Sequence, residues 1–475
     1  MLTGFNCRVA TIWVCPGRLL RLAAAAACLL GMAGCATLPD TQFLTERYRT
    51  QTTRFENARG PLSAKQSAAI VAELKRRSGD LDILDRQITL EQEIVGNPLV
   101  VGNRVTLLED GPATYQAMFS AIRQAKDHIN VESYIVDDDE VGKQFAELLL
   151  ERQAQGVQVN IIYDSVGAIK TPRAFFDRLT QAGIQVVEFN PINPMALKKP
   201  WALNHRDHRK LMVVDGRTVF LGGINISSVY SSGSSVRRHE ATVDTSGGWR
   251  DTDIQIDGPV VGEFQKLFMQ TWNKQQGAVL AQKDYFPVIA PQGRDIVRAI
   301  GSTPDDPYSL IYLTLISAIT HAAKQVYITN AYFVPDPQLI KALHDAAGRG
   351  VDVRLMLPSQ SDSNLAFHAG RWHYTELLKA GVKIYERRGA LLHAKTAIVD
   401  GVWSVVGSSN LDWRSALDND EVNAVIVGRE FAQQMHTAFT NDMAASNAID
   451  LASWQRRPLL LRFREWSARL WGRLL

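Results

Sequence analysis

His208-Arg-Lys-Leu-Met-Val-Val-Asp215 is followed by Gly222-Gly-Ile-Asn225, and His393-Ala-Lys-Thr-Ala-Ile-Val-Asp400 is followed by Gly407-Ser-Ser-Asn410. The offsets agree in both copies: two from His to Lys, five from Lys to Asp, seven from Asp to Gly and three from Gly to Asn. One His-x-Lys carries little weight. Four fixed offsets occurring twice mark an internal duplication.

The repeat extends outward from this pattern. His128-Ile-Asn-Val-Glu-Ser-Tyr134 parallels Gln325-Val-Tyr-Ile-Thr-Asn-Ala-Tyr332, and each β-rich run precedes a helix-period stretch. Those stretches stop at Gly156 and Gly350, before strand-like runs. Ala182-Gly-Ile-Gln-Val-Val-Glu188 parallels Ala380-Gly-Val-Lys-Ile-Tyr-Glu386. Strands alternating with helices predict two α/β units, over 99–279 and 280–447. Residues 35–98 read as a tether with a helical segment over Ser63–Arg77, and the body as starting near Pro98.

The residue types point to a chemistry. His and Lys two apart on a strand share a face. If the units pack about a pseudo-twofold axis, His208, Lys210, Asn225, His393, Lys395 and Asn410 converge on one pocket suited to a phosphodiester. One neutral histidine can attack phosphorus. The other can protonate the leaving alkoxide and then activate the acceptor. The lysines and asparagines stabilise charge on the phosphoryl oxygens. No metal or other cofactor is expected.

The pattern resembles the phospholipase D superfamily signature, His-x-Lys-x4-Asp-x6-Gly-Ser-x-Asn. The second copy matches throughout, and the first has Gly223 where Ser408 stands. The resemblance implies two duplicated phospholipase D-like α/β units with one shared active site. It implies a candidate catalytic set of His208, Lys210, Asp215, His393, Lys395 and Asp400, with His208 as nucleophile, His393 as acid and the aspartates in bracing roles. It places Ser408 with Asn225 and Asn410 on the phosphate, and Asp251 and Glu421 as carboxylates that orient the histidines. Glu132-Ser-Tyr-Ile-Val-Asp-Asp-Asp-Glu-Val-Gly142, Trp249-Arg-Asp-Thr-Asp253, Asn330-Ala-Tyr-Phe-Val-Pro335 and Gly407-Ser-Ser-Asn-Leu-Asp-Trp-Arg-Ser415 are similar to bacterial cardiolipin synthases. This implies phosphatidyl transfer between phospholipids: phosphatidylglycerol, with phosphatidylethanolamine as a further possible donor. Alternatives are a phospholipase D hydrolase, an endonuclease of the superfamily and an inactive lipid-binding lipoprotein.

Charge distribution bears on those alternatives. Residues 1–34 carry Arg8, Arg18 and Arg21 and no carboxylate, leaving 49 basic and 49 acidic residues in the rest of the 475. Trp454–Leu475 holds six arginines against Glu465. The body between is therefore acidic, which argues against nucleic acid as a partner. Arg18 and Arg21 precede Leu22–Ala33, a run shorter than the roughly 20 residues that span a bilayer. It reads as a signal peptide over 1–34. Met32-Ala-Gly-Cys35 resembles a lipobox, so Cys35 is the expected lipidation site. The expected location is the periplasmic side of a bacterial envelope, with Ala36 favouring the outer over the inner membrane.

Residues 448–475 form the tail. Leu459, Phe463, Trp466, Leu470 and Leu474 recur at helical spacing among arginines. A basic amphipathic helix of this kind is expected at a membrane surface, the alternative being a helix docked on the body. His205 reads as a supporting residue, and Tyr134 and Tyr332 as packing or pocket residues. Asp137-Asp-Asp-Glu140 reads as a solvated turn.

Overall fold

The computed structural model describes residues 53–475 apart from 80, 82, 193–203 and 233–247. The expectations for the signal segment and Cys35 lie outside the described residues. Among the described residues no helix is long and apolar enough to cross a membrane.

The β-branched runs become buried strands, as their composition dictates. In the first unit these are β1 (Leu99–Glu109), β2 (His128–Ser133), β3 (Gln158–Asp164), β4 (Gln185–Phe189), β5 (Lys210–Val214), β6 (Thr218–Gly222) and β7 (Thr252–Asp257). In the second they are β8 (Asp295–Ser302), β9 (Gln325–Thr329), β10 (Asp352–Pro358), β11 (Lys383–Arg387), β12 (Thr396–Val399), β13 (Trp403–Gly407) and β14 (Asn419–Val427). The first unit orders its strands β4-β3-β2-β5-β6-β7-β1, and the second β8-β14-β13-β12-β9-β10-β11. Each order is the other reversed, so the two units repeat one topology. β1 and β8 pair antiparallel and join them edge to edge.

The parallel strands β2–β3–β4 and β9–β10–β11 need helical crossovers. Asp139 caps the first such helix, Glu140–Ala154, by accepting from Gly142 N–H at 3.0 Å. Asp336 does the same for Pro337–Gly348, accepting from Leu339 N–H at 3.0 Å. The acidic turn at 137–140 is therefore a helix start, and Asp139 also accepts from Ser228 N–H.

One core crosses the junction. Phe264, Phe268 and Trp272 from helix Val261–Lys274 and Phe431, Met435 and Phe439 from helix Arg429–Ala444 pack with β-strand side chains of both units. A shared apolar core makes the inter-unit boundary part of the folded interior.

The body also begins earlier than the tether reading placed it. Phe55 is fully buried, and Phe55–Asn57 pairs with β1. Ser63 caps helix Ala64–Ser78 through a capping box with Gln66. Helix Ile88–Val95 carries Glu91 to Arg298 (3.2 Å) and to Trp403 Nε1 (2.6 Å), all inside the second unit. A short helix whose partners lie some 200 and 300 residues away has no local sequence signal.

In the tail, helix Leu459–Arg469 docks through Ala468 against Ala366 and Ala369, while Leu459, Phe463, Trp466 and Leu470 stay exposed.

Candidate active site

The segment before each histidine leaves its own sheet and pairs with the other unit. Arg206–Asp207 runs parallel to Asn419–Asp420, and His208 N–H donates to Asp420 O at 2.9 Å. Leu391–Leu392 runs parallel to Trp249–Arg250, and His393 N–H donates to Arg250 O at 2.7 Å. This exchange sets each histidine beside the carboxylate that follows in the opposite unit. His208 Nδ1 lies 3.0 and 3.1 Å from the Glu421 oxygens, and His393 Nδ1 lies 2.7 Å from Asp251 Oδ2.

Both histidines line one cleft of about 350 Å³ between the units, with Asn225 and Asn410 in its wall. The lysines stand two residues on, Lys210 opening β5 and Lys395 immediately before β12. Lys210 Nζ donates to His208 O at 2.6 Å and lies 5.2 Å from the Tyr134 ring centre. Lys395 Nζ donates to His393 O and lies 2.9 Å from His393 Nδ1. Asn225 Nδ2 donates to Tyr230 Oη at 3.0 Å, and its Oδ1 accepts from Ile135 N–H at 3.1 Å. Asn410 Oδ1 is buried without a hydrogen-bond partner.

Burial pushes His208 down to about 4, against the opposing pull of Glu421. Burial alone would raise Glu421, but His208, Lys210 and Ser408 hold it down to about 2. The pair is therefore a neutral imidazole donating Nδ1–H to a carboxylate, with Nε2 left as a lone pair. His393 is likewise lowered, first by burial and then by Lys395, with Asp251 opposing. Asp251 stays below the usual carboxylate range because His393 and Lys395 outweigh its burial. Burial brings the Lys210 ammonium down to about 7 and that of Lys395 to about 8. An arriving phosphodiester anion restores their charge.

Three expectations are corrected by the geometry. Asp215 and Asp400 do not belong with the catalytic side chains; their bracing is of the neighbouring strand and not of the cleft. Each sits at the far end of its strand, roughly 20 Å along the chain from its histidine at about 3.3 Å per residue. Asp215 accepts from the N–H groups of Lys126, Asp127 and His128, and Asp400 from those of Ala323, Lys324 and Gln325. Ser408 is not on the phosphate either: it is fully buried, and its hydroxyl donates to Glu421.

The cleft also holds residues that motif reading passed over. Tyr230 and Trp249 flank His393 with ring centres 5.9 and 5.0 Å away. Arg206, Asp362, Asp412 and Arg414 complete much of the wall, and Tyr134 and Tyr332, expected as packing or pocket residues, also line the cleft, Tyr134 edge-on to His208 at 5.1 Å. Asp412 and Arg414 follow Asn410 closely, a signal that proximity to the motif could have supplied. His205 supports the site from behind, with Nε2 2.9 Å from Asp420 Oδ1.

The family described as "Cardiolipin synthase, PLD-like domain" matches residues 118–272 and 315–443. The chain is 35% identical over 390 residues to a cardiolipin synthase of Geobacillus kaustophilus, covering 82% of this chain and 76% of that protein. It is 36% identical over 360 residues to cardiolipin synthase A of Pseudomonas putida, covering 74% of this chain and 71% of the relative. Among solved structures, phosphatidylserine synthase of Haemophilus influenzae superposes with a TM-score of 0.61 at 13% identity. That match covers 81% of this chain and 99% of the other, a likeness of fold.

Proposed function

This chain belongs to the cardiolipin synthase family of phospholipase D-like proteins, and we propose that it makes cardiolipin by moving a phosphatidyl group between phospholipids through a histidine-linked intermediate. The observation that carries the reading is the crossed pairing of His208 with Glu421 and His393 with Asp251 around one cleft.

Nε2 of His208 attacks the phosphorus of phosphatidylglycerol, and the bond from phosphorus to the headgroup glycerol oxygen breaks. His393 delivers its Nε2 proton to that oxygen, and glycerol leaves. Bound phosphodiester charge offsets Lys395 and, with Asp251, favours the protonated His393 that this step needs. Neutral His393 then takes the proton from the headgroup hydroxyl of a second phosphatidylglycerol. That oxygen attacks phosphorus, the P–N bond breaks, and its electron pair returns to His208. The products are cardiolipin and a regenerated enzyme. Lys210 and Lys395 stabilise the equatorial oxygens throughout, and Asn225 and Asn410 shape the same pocket. Phosphatidylethanolamine would enter the first step with ethanolamine as leaving group.

The working surface is a membrane. Arg18, Arg21, the apolar run to Ala33 and Cys35 support a lipid-anchored, periplasm-facing enzyme of the bacterial envelope, with the outer membrane favoured by Ala36.

The test uses the full chain on phosphatidylglycerol vesicles with and without phosphatidylethanolamine, read by lipid mass spectrometry, with His208→Ala as control. Cardiolipin that vanishes in the control is expected. Phosphatidic acid alone would make water the acceptor and overturn the transferase reading.

A further inference from the structure

The tail helix Leu459–Arg469 has three distinct faces. At about 100° per residue, Leu459, Phe463, Trp466 and Leu470 fall within about 60° of one another. All four are exposed, Phe463 at 61% and Leu470 at 65%. Leu461, Glu465 and Ala468 lie on the opposite side. Ala468 is buried on helix Asn364–Arg371, and buried Glu465 pairs with Arg457 at 2.6 Å. Arg462 and Arg469 project along one flank of the apolar ridge, and on the other side exposed Leu460 extends the apolar surface toward Arg464, all three arginines being exposed. The ridge thus points straight away from the protein body, with cationic groups on both sides. Trp471 and Leu474 continue the exposed apolar surface beyond the helix.

This surface is continuous with the cleft. Helix Asn364–Arg371, on which the tail rests, contributes Ala366 to the cleft wall, and the preceding Ser363 does the same. Leu475 itself lines the cleft, and its carbonyl accepts from Arg414 N–H at 3.0 Å. The tail is pinned to the mouth of the site by its buried face, which leaves the apolar ridge unpartnered.

We propose that residues 459–475 are an interfacial platform that seats the cleft mouth on an anionic phospholipid bilayer. The apolar ridge enters the boundary between headgroups and acyl chains, and the flanking arginines engage lipid phosphates. A lipid headgroup then reaches the histidines along a wall formed partly by the platform. The cationic flanks complement the anionic phosphates of a lipid surface. The inference rests on a lipid substrate, and it adds the means by which a bilayer-embedded substrate is presented.

The experiment compares the full chain with a Phe463→Asp/Leu470→Asp variant. Both sites are exposed and neither lines the cleft, so the thermal unfolding midpoint should be unchanged. Hydrogen–deuterium exchange is followed with and without phosphatidylglycerol vesicles. Amides of the tail should slow by about fivefold or more on the vesicles in the wild type only. Cardiolipin formation on vesicles should fall by about tenfold in the variant, while turnover of monomeric dihexanoyl-phosphatidylglycerol stays within about twofold. The milder Arg462→Gln/Arg464→Gln variant should lose part of the protection, most clearly at low salt. Unprotected tail amides, or wild-type turnover on vesicles by the Asp variant, would overturn the proposal. So would equal loss on the monomeric lipid, which would make the tail a cleft wall and nothing more. Protection that rises with protein concentration in the absence of lipid would assign the ridge to a second copy instead. A wild type inactive on both substrates would defeat the transferase reading, while the exchange data would still decide the platform.

Discussion

His208 stands against a glutamate backed by a serine, whereas His393 stands against an aspartate backed by a glycine. The longer Glu421 reaches His208 and leaves space for Ser408, whose hydroxyl donates to it. The shorter Asp251 keeps its carboxylate close to its own strand, and a Cβ on Gly223 would overlap Asp251 Oδ1. The glycine that departs from the signature is therefore paired with carboxylate length. The surroundings differ further. Arg209 Nε donates to Glu421 O at 3.1 Å and braces the His208 side, where the second copy has Ala394. Both lysines donate to the carbonyl of their own histidine, and Lys395 in addition reaches His393 Nδ1. His208 thus has one fixed tautomer with a free Nε2, which suits a nucleophile. His393 has an acid and a base at the same nitrogen, which suits a group that changes protonation in each half-reaction.

The largest effect should come from removing either histidine. His208→Ala should lower turnover by about 10⁴-fold or more and leave no covalent intermediate to trap. His393→Ala should lower turnover by about 10²–10⁴-fold, yet acid quenching should still yield a phosphatidyl-enzyme. Mass spectrometry of the quenched protein decides between them. A trapped species in His208→Ala would reverse the assignment of the two sites.

Exchanging the supports is the next test. Gly223→Ser alone should push Asp251 off His393 and lower turnover by about 10²-fold, the scale of a small misplacement. Asp251→Glu together with Gly223→Ser rebuilds the Glu421–Ser408 arrangement on the His393 side, and should recover about tenfold of that loss. No recovery would show that backbone differences, and not carboxylate length, separate the two sites.

The pH profile sharpens the comparison by a smaller amount. Below about 4, His208 gains a proton and loses its lone pair, so kcat/KM falls with acid. Above about 4 free-enzyme His393, the acid of the first step, loses its proton, and above about 7 to 8 Lys210 and then Lys395 lose their charge, so kcat/KM falls with base in these successive steps. A bound phosphodiester holds the lysines protonated, so the alkaline limb of kcat should lie at higher pH than that of kcat/KM. Each lysine depresses its neighbour's affinity for protons, so Lys395→Gln should move the Lys210 step upward. An alkaline limb that ignores both lysine substitutions would remove them from phosphate binding.

Much of this was legible in the sequence because it repeats. The fixed offsets from His to Asn pointed to two units around one cleft, and the family resemblance implied the partners Asp251 and Glu421. What stayed hidden depends on contacts without local signature. Ser408 looked like a phosphate donor because a hydroxyl beside a motif carries no record of direction, and only the fold turns it toward Glu421. The segment before Pro98 looked like a tether because the Arg298 and Trp403 that hold Glu91 are remote in sequence. Tyr230 and Trp249 gave no period of their own, yet the chain exchange between units brings both against His393.

The smallest effect on activity should come from Asp215 and Asp400, where the halves behave alike. Both residues hold the left-handed backbone at φ 53, and each carboxylate gathers the N–H groups that open the neighbouring strand β2 or β9. An asparagine tolerates that backbone but accepts more weakly. Asp215→Asn and Asp400→Asn should each cost about 1.5–3 kcal/mol of stability, the range for hydrogen bonds to a charged acceptor. The cost should be nearly equal in the two units and appear as a lower thermal midpoint, with kcat within about threefold of wild type. The strand between aspartate and histidine is the reason: the lost bonds loosen its far end, while the crossed pairing with the other unit still holds the histidine. A tenfold drop in kcat at unchanged thermal midpoint would mean that the far end of the strand sets the histidine after all, and the two ends would have to be treated as one device.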